Sequence, residues 1–221
     1  MKLFTFPNII TLGNLACGFF GILAATQGKL QEAGILIFVA LILDFLDGFV
    51  ARMFNSYSEI GAQLDSLADM VSFGVLPSFI LYYLMNDMGF LQYLALIPTF
   101  SSALRLAKFN IDDRQSDSFR GLPTPANAMV VASFPFIVTR GYSFLSPEVT
   151  PFILGTYAVL ISIIMISDMP MLALKVKNFS WASNSLRYLF LIGSLALFAA
   201  FQVAAVPLIL LLYIAFSLKK N

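Results

Sequence analysis

The chain has 221 residues, of which 59% are hydrophobic and 11% charged, with a formal net charge of +1 and a mean hydropathy of +0.87. Soluble domains carry about 25% charged residues, so this composition excludes an ordinary soluble protein and points to an integral membrane protein. Histidine is absent and Cys17 is the lone cysteine. That excludes an intrachain disulfide, a Ser-His-Asp triad and most zinc sites, and leaves carboxylates as the main groups for metal binding and proton transfer.

At about 20 residues per span, the apolar runs predict an all-α polytopic membrane bundle of about eight helices. They fall near 8–27, 30–53, 60–85, 90–108, 124–142, 150–168, 184–199 and 202–219. The apolar stretch after Met1-Lys2 is interrupted by Pro7-Asn8 and Asn14 and lacks a small-residue cleavage site, so it does not read as a signal peptide. Cys17 lies in an apolar run and reads as packing filler. The fourth helix ends on Arg105-Leu106-Ala107-Lys108-Phe109-Asn110, and a polar loop follows, closing on Gly121-Leu122-Pro123-Thr124-Pro125. Its prolines stop one helix and start another. A second basic loop, Lys175 to Arg187, contains Trp181, which reads as an interfacial anchor. The turn between the last two helices, near Ala200 to Val203, has neither glycine nor proline, so a shifted break or one bent hairpin fits as well. Residues 1–221 read as a single membrane domain.

The basic residues give an orientation. With a cytoplasmic N-terminus, Lys2, Arg52, Arg105, Lys108, Arg114, Arg120, Lys175, Lys177, Arg187, Lys219 and Lys220 fall on the cytoplasmic side, against Lys29 and Arg140 outside. An even number of spans brings both termini to the cytoplasm.

Against this apolar background stand four acids, in the order Asp44-x-x-Asp47-Gly48-x-x-Ala51-Arg52, eight residues, Gly61-x-x-x-Asp65-x-x-x-Asp69. A carboxylate at bilayer depth costs on the order of 3 kcal/mol, so four together call for compensating charge, most simply metal ions. Asp44, Asp47 and Ala51 share one helical stripe, and Gly61, Asp65 and Asp69 another. Asp44 and Asp65 are about equally far from the intervening loop. Two antiparallel helices therefore bring the acids to one level, about 12 to 15 Å of helix from that loop, in a site open to the cytoplasm. Two divalent cations bridged by carboxylates suit displacement at phosphorus, and oxygen ligands favour Mg²⁺, Mn²⁺ or Ca²⁺. The small residues Gly48, Ala51, Gly61 and Ala62 either leave room for a ligand or serve close helix packing. Arg52 either meets phosphate or snorkels at the membrane edge.

This run resembles, at every specified position, the signature of the CDP-alcohol phosphotransferases, membrane enzymes that transfer a phosphatidyl or similar group from a CDP-linked donor to an alcohol and release CMP. The resemblance implies that Asp44, Asp47 and Asp65 are metal ligands and that Asp69, also near a metal, is the general base for the acceptor hydroxyl. It implies two divalent cations, Mg²⁺ or Mn²⁺ with Ca²⁺ as a bound substitute. Gly48, Ala51 and Gly61 would border the nucleotide and Arg52 would meet donor phosphate. Pro7-Asn8-Ile9-Ile10-Thr11 matches the family's first-span pattern, which brings Asn8 and Thr11 toward the CDP moiety. Arg105-x-Ala-Lys108-Phe-Asn110 and Phe119-x-Gly121-Leu-Pro-x-Pro125 are similar to the bacterial and archaeal phosphatidylserine synthases of that family.

The implied reaction joins CDP-diacylglycerol and L-serine, with Arg105, Lys108 and Arg120 as candidate contacts for the serine carboxylate. The same cations also read as ordinary positive-inside residues. Glycerol 3-phosphate or an inositol phosphate is the alternative acceptor within the family, and a divalent-cation transporter is the alternative of another class. The implied setting is the cytoplasmic membrane of a prokaryote, with a homodimer common in the family and no nucleic-acid partner.

Overall fold

A computed structural model describes residues 3–86, 88–111, 120–140, 149–172 and 180–219. These form an all-helical bundle. Helix α1 (Phe6–Thr26) starts on Thr5, whose side chain accepts from the Asn8 backbone N–H, with Pro7 in the first turn where its missing donor costs nothing. After a turn at Gly28, α2 (Leu30–Met53) runs back along α1. Asn55, in the left-handed region at φ 48°, reverses the chain, and Ser58 caps α3 (Glu59–Asp69) by accepting from Gly61 N–H at 3.1 Å.

The third predicted helix is continuous in path but not in register. A π-helical turn, Met70–Val75, separates α3 from α4 (Leu76–Leu84). Pro77 explains the change, because it offers no N–H to the preceding turn, and Leu76 N–H reaches back to the Val71 carbonyl instead. The predicted fourth helix is also composite: a 3₁₀ stretch, Gly89–Leu96, precedes α5 (Ile97–Ile111). Helices α6 (Thr124–Thr139) and α7 (Thr150–Ile166) end slightly earlier than predicted. Helix α8 (Trp181–Phe201) breaks at Gln202, whose φ of 53° lies in the left-handed region. After a short 3₁₀ turn, α9 (Ala205–Lys219) packs back on it. The break falls within the predicted turn.

Among the described residues, Phe6–Thr26, Leu30–Met53, Glu59–Leu84 and Asn184–Leu218 are long and apolar enough to cross a membrane, the last being the broken α8–α9 segment. Thr124–Thr139 and Thr150–Ile166 are apolar but shorter. Phe19, Phe45, Phe90, Leu104 and Leu195 are exposed, an outer surface suited to lipid. One core gathers Ala25, Ile37, Phe73, Leu76, Ile80 and Val131, and Cys17 packs at its edge. A second joins Leu122, Val130, Ile161, Met165, Met171 and Leu210. Trp181 is exposed and stacks on Tyr188 at 5.3 Å.

The two cations assigned to the outer side lie at one end of the bundle. Gln31, two residues after Lys29, donates to the Thr139 hydroxyl at 2.8 Å, and the neighbouring Arg140 donates to Gln202 Oε1 at 2.8 Å. Lys2, Arg114, Lys175, Lys177 and Lys220, which also enter the orientation count, lie outside the described residues, as does Phe119.

Candidate active site

Helix α1 is the wedge that builds the site. It packs along α2 on one side and α3 on the other, so the two aspartate-bearing helices meet across a gap whose floor α1 supplies. Gly18 allows this approach: a Cβ there would stand 2.5 Å from Ser72 Oγ and 3.0 Å from Ser72 Cα, against the π turn. The Ser72 hydroxyl donates to the Asn14 carbonyl at 2.8 Å and fixes the same contact.

Carboxylate oxygens of Asp44, Asp47 and Asp65 lie within 4.8 Å of one another. Cations bind carboxylate oxygens at about 2.0–2.6 Å, so three oxygens this close can surround one ion, and an all-oxygen set suits a hard divalent cation. The residues fit the implied metal. Asp69, one turn beyond Asp65, adjoins Asp44 and Asp65. It is 8% exposed, and Asn14 Nδ2 donates to its Oδ1 at 3.2 Å. Asp47 accepts at Oδ2 from the Thr11 hydroxyl at 2.6 Å. Two α1 side chains thus hold two of the acids. The sequence pattern marked Thr11 for the nucleotide and passed over Asn14, whose only sequence signal is an amide inside an apolar span.

A cavity of about 170 Å³ opens beside the triad, lined by Asn8 and Thr11 of α1, Asp47, Gly48 and Ala51 of α2, and Gly61 and Asp65 of α3. Five of the six residues expected to bind the donor therefore share one pocket. The sixth, Arg52, is exposed and does not line it, although its guanidinium lies over Gly48, 3.5 Å from where a Cβ would stand. Among the described residues no neighbouring helix crowds Gly48, which answers the sequence ambiguity: this glycine borders the cavity, under Arg52 of its own helix, and does not serve helix packing.

The three cations expected at the acceptor also converge. Arg105, Lys108 and Arg120 line a second cavity of about 320 Å³ with Leu104, Met165, Ile166 and Ser167. Arg105 is 8% exposed, its Nε is buried without a partner, and its guanidinium interacts electrostatically with Asp69. A buried cation with an unused donor is an anion site in waiting. Asp69 thus interacts electrostatically both with the acidic cluster and with Arg105 of the basic cavity. Asn110 Nδ2 donates to Ser66 Oγ at 3.0 Å, tying the end of α5 to α3.

Residues 4–171 match the profile of the CDP-alcohol phosphatidyltransferase family. The chain belongs to that family. It is 39% identical over 172 residues to a CDP-diacylglycerol–serine O-phosphatidyltransferase of Helicobacter pylori strain J99, covering 75% of this chain and 71% of the relative. It is 38% identical over 151 residues to the protein of that name in Bacillus subtilis strain 168, covering 63% and 84%. An archaetidylserine synthase of Methanothermobacter thermautotrophicus is 33% identical over 165 residues, covering 73% and 67%. The family match ends at residue 171, yet α9 of this transferase interacts with a residue of the basic cavity. Tyr213 interacts electrostatically with Arg105, and its hydroxyl donates to the Leu172 carbonyl at 3.1 Å. The Leu172 N–H in turn donates to Ser217 Oγ at 3.0 Å. Apolar helices carry no sequence mark of such a contact.

Proposed function

We propose that the protein is a CDP-diacylglycerol–serine O-phosphatidyltransferase, forming phosphatidylserine and CMP. The observation that carries this reading is one chain holding an acidic triad and a cavity lined by three cations, with Asp69 in electrostatic interaction with Asp44 and Asp65 and with Arg105. A base there serves an acceptor held by cations and a donor held by acids. The names of the relatives support serine as that acceptor.

In this reading residues 1–221 form one membrane domain of about eight spans in a prokaryotic cytoplasmic membrane, with both termini and the site on the cytoplasmic side. A homodimer is the assembly expected from the family. The cytidine diphosphate moiety sits in the cavity floored by Asn8, Thr11, Gly48, Ala51 and Gly61, with Arg52 at its rim, and the acyl tails stay in lipid. Asp44, Asp47 and Asp65, with Asp69 adjacent, would hold two Mg²⁺ or Mn²⁺ ions. Bound cations neutralise these acids and stabilise charge on the donor phosphates. Arg105, Lys108 and Arg120 receive the serine carboxylate. Asp69 takes the proton of the serine hydroxyl, and that oxygen bonds to the lipid-side phosphorus as the phosphorus–oxygen bond to CMP breaks. CMP leaves to the cytoplasm.

Three cations around one cavity also suit a phosphate-bearing acceptor. Purified enzyme given CDP-diacylglycerol and radiolabelled serine, glycerol 3-phosphate or inositol phosphate decides between them. Phosphatidylserine as the sole labelled lipid is the expected product, and a labelled lipid from either phosphate overturns the serine reading.

A further inference from the structure

One cation of the basic cavity is paired with an acid. Asp168 follows the cavity-lining Ser167, and its Oδ1 accepts from Lys108 Nζ at 2.7 Å. Its side chain is 65% exposed and that of Lys108 38%, so the pair meets water beside the cavity. An exposed ion pair of this kind contributes little to stability, which makes folding a poor reason for the acid's position.

The backbone that carries Asp168 is held from two sides. Gly121 N–H donates to the Met169 carbonyl at 2.9 Å, Leu122 N–H donates to the Ile164 carbonyl at 3.3 Å, and Arg120 bridges Pro170. Gly121 has φ 72°, and a Cβ there would collide with the Met165 and Ser167 carbonyls, so only glycine fits. On the other side, Tyr213 and Ser217 of α9 hold the carbonyl and the N–H of Leu172. The short segment 167–172 is therefore fixed against both the Arg120 backbone and the last helix, and it presents the Asp168 carboxylate to Lys108, one of the three cations that line the cavity.

An amino acid at pH 7 carries an ammonium as well as a carboxylate, and three cations alone would repel it. Resting on the serine reading above, we propose that Asp168 is a specificity-determining residue that receives the acceptor's ammonium. The acceptor carboxylate goes to Arg105 and its neighbours, and the hydroxyl faces Asp69. Asp69 cannot serve both the hydroxyl and the ammonium. Among the described residues, Asp168 is the acid paired with a cation of this cavity and so placed for the second charge, and its repulsion disfavours acceptors that carry only negative charge.

The test compares serine with 3-hydroxypropanoate, which keeps the hydroxyl and carboxylate but lacks the amino group. In detergent-purified full-length enzyme, Asp168→Asn is expected to raise the KM for serine by about 10-fold or more, the scale of a lost charge-assisted hydrogen bond. It should leave the KM for CDP-diacylglycerol unchanged and the use of 3-hydroxypropanoate equal or better. Asp168→Glu should recover much of the preference for serine. Equal losses with both acceptors would show that Asp168 only orients Lys108 and would overturn the proposal, as would an unchanged serine KM. Wild-type enzyme that makes no lipid from serine overturns the serine reading itself, a result separate from either.

Discussion

Asn14 and Asp69 are 55 residues apart in sequence, and Asn14 Nδ2 donates to Asp69 Oδ1 at 3.2 Å inside the bundle. The amide is fully buried, and its backbone carbonyl accepts from Ser72 just beyond the aspartate. It therefore sets the direction of the proposed base. Asn14→Ala should lower kcat by about 10- to 100-fold, the range for residues that orient functional groups, with a smaller effect on either KM. Steady-state kinetics in both substrates check this, and a KM effect larger than the kcat effect would count against an orienting role.

Asp69→Asn keeps the shape and the Asn14 neighbour but cannot accept a proton from the acceptor. Turnover should fall by at least about 100-fold, while binding of CDP-diacylglycerol measured by calorimetry persists. Normal activity in this variant would remove Asp69 from the chemistry.

The acidic triad predicts dependence on a divalent cation. Chelation with EDTA should abolish turnover, and Mg²⁺ or Mn²⁺ should restore it. Asp44→Asn and Asp47→Asn should each weaken that rescue, because either change replaces one of three carboxylates, whose oxygens lie within 4.8 Å of one another, with a neutral amide. Full activity in EDTA would separate the triad from the reaction.

Two glycines of this transferase should respond in opposite ways. Gly48 faces the cavity beside the triad with no neighbouring helix against it. Gly48→Leu should leave the unfolding temperature close to wild type and raise the KM for CDP-diacylglycerol on the order of 10-fold or more, by filling donor space. Gly18 lies against the Ser72 backbone. Gly18→Ala should cost about 1–3 kcal/mol of stability through overpacking, read as a lower unfolding temperature in detergent.

Tyr213→Phe and Ser217→Ala test whether the last helix belongs to the acceptor site. Each removes one hydroxyl from the pair that holds Leu172. Each should raise the KM for serine several-fold, about 1 kcal/mol for one hydrogen bond, with the donor KM unchanged.

Most of the helical segmentation was legible because apolar runs in a membrane chain must be helical, and the predicted boundaries fall within a few residues of those observed. Local departures arose where a backbone donor was missing or the turn tightened. Pro77 produced the π turn after Asp69, and Gly89–Leu96 wound as 3₁₀ helix. Periodicity over a window averages across such register changes. The role of the glycines was not legible either. A missing side chain reads the same whether the space is filled by a neighbour, as at Gly18, or left open, as at Gly48.

Composition and spacing alone marked a chain suited to a membrane, the four acids and their two helical stripes, since charge in an apolar run is costly and helical spacing is fixed by backbone geometry. It also marked Arg105, Lys108 and Arg120 as cations near one end of the bundle. Three-dimensional packing was needed to bring α1 against both acidic helices, to set Thr11 and Asn14 on Asp47 and Asp69, to pair Asp168 with Lys108 and to bring Tyr213 into interaction with Arg105. Those pairings join residues 36 to 108 positions apart. Nothing local in an apolar helix says which face a distant helix will meet. Packing of the whole bundle makes that choice.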